Sequence, residues 1–381
     1  MKCNGRHEVV ICGAGPAGSI AALVLARAGV RVLLLDRARF PRDKLCGDTI
    51  NPGALAVLSR LGLAHVTEDS LPVAGMILSD PSGVRSVGRY GGGHYGRALR
   101  RSALDQALLD SAVRAGVRFE ERTLVQGPLV EGDAVRGVVT TSASGVSRQI
   151  PAQIVIAADG ASSRLARALG LARHPARPRR WAVGAYFTNV IPAPEAECFG
   201  EMHVRRGRYI GVAPMPDGLT NACVVTADRI ALRDPATLLW TAVRQDAMLA
   251  ERFAAARPIA PPVCLGPLAV DSERSGLPGL LLAGDAAGFI DPMTGDGLRF
   301  AFRGAELAAL TALHALQHGS HDAPNHLWRA RRREFSSKWR FDRALRAMVE
   351  SPAAMHVVAT GVKWMPSMAQ RLVRHAGDLH S

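Results

Sequence analysis

The stretch EVVICGAGPAGSIAALVLARAGVRVLLLD, from Glu8 to Asp36, decides the fold. Val9, Val10 and Ile11 form a short β-branched apolar run, the composition of a strand buried on both faces. Gly13, Gly15 and Gly18 follow as GxGxxG, and Ala17 to Ala28 holds good helix formers until Gly29 stops them. A second apolar run ends on Asp36, 18 residues past Gly18. Strand, glycine turn, helix and strand make a βαβ unit. The first glycine permits the tight turn, the second lets backbone approach a pyrophosphate, and the third lets helix and strand pack closely. Ala17 lies inside the same turn, and Asp36 stands where a carboxylate accepts hydrogen bonds from ribose hydroxyls. This spacing predicts a bound dinucleotide.

Outward from that unit, the totals set limits. A chain of 381 residues is long enough for two domains, or for one domain with a large insertion. Hydrophobic residues are 48% and charged residues 21%, a globular balance. No apolar run approaches the roughly 18 residues of a membrane span. The polar opening MKCNGRH runs straight into the first strand, so no cleaved signal peptide is expected and the protein reads as cytoplasmic. Six scattered cysteines show no CxxC spacing, which predicts free thiols and no metal site. The net charge is +14, with 47 Lys plus Arg, only four of them lysines, against 33 Asp plus Glu. Half of the excess falls in residues 327–381, which hold 11 basic and 4 acidic side chains. No nucleic-acid motif accompanies it, so nucleic acid is not an expected partner. An acidic protein surface, anionic lipid headgroups at a membrane periphery, or plain solvent would each suit this tail.

Elsewhere the texture alternates. Arg101–Gly116 predicts an amphipathic helix with Leu104, Leu108 and Val113 near one face. Residues 152–170 and 277–285 return to the buried-strand pattern, whereas about 73–96 and 180–230 read as short strands with turns at DPSG, 80–83, and Asp217–Gly218. The expected class is α/β. A discontinuous Rossmann-like domain would comprise 1–72, 97–170 and 265–320, with a β-rich substrate domain inserted as 73–96 and 171–264. A basic helical C-terminal region, 321–381, would follow.

Two further stretches choose the dinucleotide. In AADG, 157–160, Asp159 and Gly160 end one core strand before a helix start. In AGDAAGFIDPMTGDGLRFAF, 283–302, Asp285 ends another, and Gly295 and Gly297 precede a helical segment. A flavin meets these demands: its ribityl hydroxyls need an acceptor such as Asp285, and its pyrimidine edge, negative when reduced, suits a helix N-terminus near Gly297. FAD is therefore expected rather than NAD.

GAGPAG, the RxxLD at Arg101–Asp105, the ADG at 158–160 and GDAAGFIDPMTGDG together resemble the flavoprotein hydroxylase superfamily, typified by p-hydroxybenzoate hydroxylase. FPRDKLCGDTINPGAL, 40–55, further resembles its geranylgeranyl-reductase-like branch, which includes quinone-linked dehydrogenases and tailoring monooxygenases. The resemblance covers about 1–320. It implies Gly13, Gly15, Ala17 and Gly18 at the pyrophosphate, Asp36 at the ribose, Arg101 on the phosphate side and the Val125 backbone at the adenine. It also implies Cys46 and Gly47 near the flavin, Asp285 at the ribityl–phosphate region, and Gly297 and Leu298 at the isoalloxazine edge. Pro292 would offer its carbonyl beside the flavin, and Asp159 with Gly160 match the second nucleotide motif. Gly288 stands where aromatic hydroxylases usually have histidine. Tyr209 and Pro214 match the prenyl reductases' YxWxFP segment, but Gly211 and Ala213 replace its aromatics, opening room for a bulkier or ring-shaped substrate.

The resemblance implies an FAD-dependent oxidoreductase with NAD(P)H as transient reductant. The reading placed first is a monooxygenase that hydroxylates an electron-rich, aromatic or polyketide-like substrate, free or tethered to a carrier protein, through a flavin C4a-hydroperoxide. The second is a reductase of C=C bonds in a prenyl or quinone substrate. The third is a non-catalytic FAD-bound electron-transfer or assembly partner. Cys46 and His94 are candidate substrate-side groups; each also reads as structural, Cys46 as a small buried residue and His94 as a loop histidine.

Overall fold

The computed structural model describes residues 7–176, 179–350 and 366–379. Lys2, Cys3 and Lys363, and the stretch 351–365 of the basic tail, lie outside them.

A parallel sheet carries the first stretch of sequence. Strand His7–Cys12 pairs with Val32–Leu35 on one side and Ser147–Ala157 on the other; Arg118–Glu120 and Leu280–Leu282 extend the two edges. All these pairings are parallel, and both faces are covered, which is why the strands are unbroken apolar runs. Helices Pro16–Arg27, Arg101–Arg114 and Gly297–His318 cover one face. An antiparallel meander formed by Thr123–Glu131, Ala134–Ser142 and the start of Ser147–Ala157 covers the other. Ala301, Ala305, Ala308 and Ala312 form a buried small-residue stripe on the last of these helices, so it can lie close against the alanine-rich first helix.

One expectation is corrected. Leu104 and Leu108 of helix Arg101–Arg114 are buried with Leu109 and Ala112, but Val113 is 44% exposed. Nine residues after Leu104 is two and a half turns, which puts Val113 on the opposite face.

The second sheet is antiparallel except at one pair. Its order is Arg257–Pro258, Trp181–Thr188, Thr220–Thr226, Arg208–Pro214, Gly200–Arg205, Gly75–Ser79 and Arg85–Arg89. The parallel pairing of Gly75–Ser79 with Gly200–Arg205 joins two segments distant in sequence. Helix Pro235–Arg244 packs on its outer face, where Phe187 meets Trp240 and Phe253 edge-on. The opposite face looks onto the parallel sheet's carboxyl ends, and a cavity of about 790 Å³ lies between them.

Helix Ala323–Glu350 then crosses back over the molecule. Leu327 and Phe335 are fully buried in the first core, while Phe341 and Leu345 reach the cavity wall. Helix Pro366–Ala376 brings Leu372 and Val373 to the same wall. Among the described residues no helix is long and apolar enough to cross a membrane.

Candidate active site

The glycine turn forms one end of the cavity. Gly13 leaves its strand at φ +101°, a conformation disfavoured for other residues, and a side chain there would meet the Ala158 carbonyl oxygen at 2.4 Å. At Gly18 a Cβ would lie 1.7 Å from the Gly13 carbonyl oxygen, so only glycine lets the helix sit this close. Pro16 begins the helix and no acidic residue occupies its first turn, leaving N–H groups and a positive dipole end facing the cavity. Gly13, Gly15 and Ala17 line the cavity; Gly18 lies behind them.

Asp36 fixes the turn. Its two carboxylate oxygens accept from the Ala14 and Ala38 amides, each at 2.8 Å. Asp36 also lines the cavity beside Val125, and across from them Asp159 and Gly160 close the second strand–helix crossing. One oxygen of Asp159 accepts from the Arg164 amide at 2.9 Å; the other is buried without a partner among the described residues. Burial pushes the Asp159 carboxyl above the usual aspartate range.

Arg42 and Lys44 were not among the residues expected here, although both stand inside the FPRDKLCG segment. The loop carrying them folds over the glycine turn. Arg42 reaches within 3.3 Å of where a Gly15 Cβ would be and pairs with Asp105 at 3.2 Å. The Lys44 amine lies 4.0 Å from Asp285. Arg101 is 5% exposed and forms two hydrogen bonds with Asp105, at 2.9 and 3.0 Å. Burial works against its charge, and the Asp105 carboxylate outweighs that, holding the guanidinium firmly charged next to Cys46.

At the far end, Asp291 caps the turn Pro292–Thr294, accepting from the Met293 amide at 3.1 Å and the Tyr209 hydroxyl at 2.7 Å. Arg180 pairs with it at 3.1 Å. Gly295, at φ +69°, redirects the chain so that helix Gly297–His318 points its N-terminus at the cavity. Pro292, Gly295, Gly297, Leu298 and Asp285 all line it, as do Cys46 and Gly47. The Cys46 carbonyl accepts from Asn221 at 2.6 Å. Asn221 also donates to buried Asp48, whose pKa burial raises to about 6.

The second sheet supplies the wall beyond. Tyr209, Gly211 and Ala213 line it with Met76, Met202 and Val225. A Cβ added at Gly211 would have no atom nearer than 4.0 Å, so the wall leaves room at this position. His94 is exposed on its loop and is not part of the cavity lining.

These residues fit FAD. The cradle is glycine where any side chain would strike backbone, two cations and a helix N-terminus converge on it, and Asp159 holds an unused buried acceptor. The volume lies within the roughly 300–1,000 Å³ of small-molecule sites.

Comparison with known proteins agrees. The profile of the FAD binding domain family matches residues 6–323. Menaquinone reductase of Mycobacterium tuberculosis (strain H37Rv) is 33% identical over 325 residues, covering 81% of this chain and 77% of its own. Digeranylgeranylglycerophospholipid reductase of Methanosarcina mazei is 27% identical over 320 residues, 82% of this chain and 77% of its own. In fold, a geranylgeranyl bacteriochlorophyll reductase-like protein from Thermoplasma acidophilum superposes with TM-score 0.75 at 22% identity, over 98% of this chain and 92% of that one. A flavin-dependent brominase gives 0.83 at 20% identity, over 98% and 93%. The chain belongs to the FAD binding domain family, in its geranylgeranyl-reductase-like branch, and is an FAD-dependent oxidoreductase.

Proposed function

We propose that the protein reduces a carbon–carbon double bond in a large apolar substrate of the prenyl or prenylated-quinone class, with NAD(P)H as the transient reductant. The observation that carries this reading is the apolar wall continuous with the cofactor cradle. Met76, Leu78, Met202, Val225, Leu268 and Phe289 face one undivided cavity, closed by side chains of the C-terminal helices. The reductase names of relatives at 33% and 27% identity favour the same chemistry, and so move it ahead of hydroxylation.

Bound FAD supplies the hydride that such a reduction needs. The chain's residues do the rest. Arg42, Lys44 and the first helix N-terminus hold the pyrophosphate, and the N-terminus at Gly297 stabilises negative charge on the pyrimidine edge. Cys46 and Pro292 shape the reacting end, while the methionine-rich wall excludes water and adapts to a flexible chain. Arg329, Arg332, Arg340 and Arg343 are exposed on the outer side of the helix whose inner side reaches the cavity. That face suits the anionic headgroups of a membrane that carries an apolar substrate.

One observation favours the second chemistry, hydroxylation of an aromatic ring: the room at Gly211, with no atom nearer than 4.0 Å to an added Cβ, gives the wall width for a ring system. A single experiment separates the two. The FAD-loaded protein is reduced anaerobically and mixed with menaquinone or a geranylgeranyl lipid. Reoxidation with a product that stays heavier by two hydrogen atoms after any quinol has been returned to quinone in air supports double-bond reduction. Inertness towards these lipids, together with insertion of isotope from labelled O2 into a phenolic substrate, replaces it with hydroxylation.

A further inference from the structure

Behind the cavity wall lies a carboxyl that none of the roles above uses. Asp342, on helix Ala323–Glu350, is 3% exposed, and among the described residues neither of its oxygens has an aligned hydrogen-bond partner. Beside it stands the Thr294 hydroxyl, itself buried and without an aligned partner, on a residue that lines the cavity one step before Gly295. The neighbouring cation is already committed. Lys338, one turn earlier, binds Asp296 at 3.1 Å and the carbonyls of His375 and Ala376 at 2.7 and 2.8 Å. Arg346, one turn later, reaches the Ile290 carbonyl at 3.4 Å. From the facing segments come Asp291, paired with Arg180, and Asp296, held also by Asn51 at 2.9 Å. The His375 ring packs edge-on against Phe341, the residue before Asp342.

An unpaired buried carboxylate is costly, and such a group remains neutral unless something stabilises its charge. Burial first, then the Asp296 and Asp291 charges, raise the Asp342 pKa to about 7; Lys338 and Thr294 only partly oppose them. A carboxyl of this kind changes its proton with small changes in local charge. Its neighbour Thr294 lines the cavity, at the turn that leads into the helix N-terminus facing the flavin site.

We propose that Asp342 is the site's proton store, a positioning residue that takes up a proton when the flavin is reduced and returns it to the cavity through the Thr294 hydroxyl. The last step rests on the double-bond reduction proposed above; the uptake does not. A hydride from NAD(P)H brings two electrons and one proton to the cofactor, and solvent gives a second proton to the Asp342 carboxylate. In turnover the hydride passes to one carbon of the double bond. The other carbon takes the Thr294 hydroxyl proton, which the Asp342 carboxylic acid replaces, becoming carboxylate again.

The test uses the full-length FAD-loaded protein without substrate. The midpoint potential of its flavin is followed from about pH 5.5 to 8.5, the interval in which a group of this pKa titrates. Uptake of one extra proton with two electrons adds about 30 mV per pH unit. A steeper segment is expected to begin near neutrality in the wild type, to vanish in Asp342→Asn and to persist, shifted, in Asp342→Glu. A wild type lacking the segment, or Asp342→Asn retaining it, overturns the proposal. If Asp342→Asn does not bind FAD, the Asp342→Glu shift decides. Thr294→Val should keep the steep segment yet slow double-bond reduction by about 10²-fold or more, the usual worth of a positioned proton donor. An unchanged rate removes the relay. Because the potential needs no substrate, a steep segment in a protein that reduces no double bond refutes only the substrate reading.

Discussion

Asp48 offers a test of the site's electrostatics that depends on no substrate. It is 1% exposed, at φ +54°, in the loop that ties the glycine turn to the second sheet. One carboxyl oxygen accepts from Asn221 at 2.5 Å, and the Tyr186 hydroxyl stands near the same carboxyl, while its Oδ1 has no partner among the described residues. Burial outweighs these bonds and raises the pKa from 3.8 to about 6. At 1.36 kcal/mol per unit, that rise corresponds to about 3 kcal/mol. The sign follows from proton counts. Between about pH 4 and 6 the native state holds a proton here that the unfolded chain has released, so this group's contribution falls as pH rises. Below that window the contribution is complete; above it the carboxylate is charged, buried and a net cost. Asp48→Asn keeps the shape and the acceptor for Asn221 and Tyr186 but cannot ionise. Urea unfolding of wild type and variant, each with FAD in the same excess, should give similar stabilities near pH 4. Near pH 7 the variant should be more stable by about 3 kcal/mol. Other buried acids titrate alike in both proteins and cancel in the difference. A difference that stays flat from pH 4 to 7 would refute the assignment of a buried, proton-binding Asp48.

Three further outcomes are expected. Gly18→Ala places its Cβ 1.7 Å from a backbone oxygen that cannot yield, so it should cost about 1–3 kcal/mol of stability and strip FAD on gel filtration; wild-type flavin content would contradict the close-packed cradle. Arg42→Met and Lys44→Met should each weaken FAD binding about ten- to hundredfold, the worth of a charge-assisted hydrogen bond, and reduce its salt dependence. Titration of apoprotein with FAD reads both. Gly211→Phe enters space with no atom within less than 4.0 Å of its Cβ, so it should fold and bind FAD normally while raising KM for the bulky apolar substrate. Unchanged kinetics would show that the substrate does not use this wall.

The cofactor half of the site was legible because a dinucleotide is recognised largely by backbone. Close backbone approach demands glycine, and glycines at fixed spacing survive in a linear sequence as a visible pattern: Gly13, Gly15 and Gly18, then Gly160, Gly295 and Gly297. Arg42 and Lys44 escaped notice for the opposite reason. They reach the cradle from a loop, through long side chains whose direction no periodicity encodes, and an arginine-rich sequence gives one more arginine little weight. Val113 was misplaced by a different route, a helical stripe drawn across a nine-residue interval that ends on the far face.

The C-terminal helix shows why the substrate side resists such reading. Its sequence mixes Trp328, Phe335, Trp339, Phe341 and Leu345 with arginines, a composition shared by a helix packed on the protein's own core, the reading the pattern favours, an interfacial helix and a docking face. The folded chain divides these residues by depth. Phe335 is fully buried beneath the parallel sheet's helices, Phe341 and Leu345 meet the cavity, and Trp328 stays at the surface under the Arg332 guanidinium, 4.7 Å from its ring. One helix thus seals the protein core at one end and closes the reaction chamber further along, and Asp342 falls between the two closing residues. Its burial therefore depends on the same packing that shuts the chamber. Loosening that helix would admit water to the cavity and to the carboxyl together, so chamber closure and proton storage are coupled by a single element.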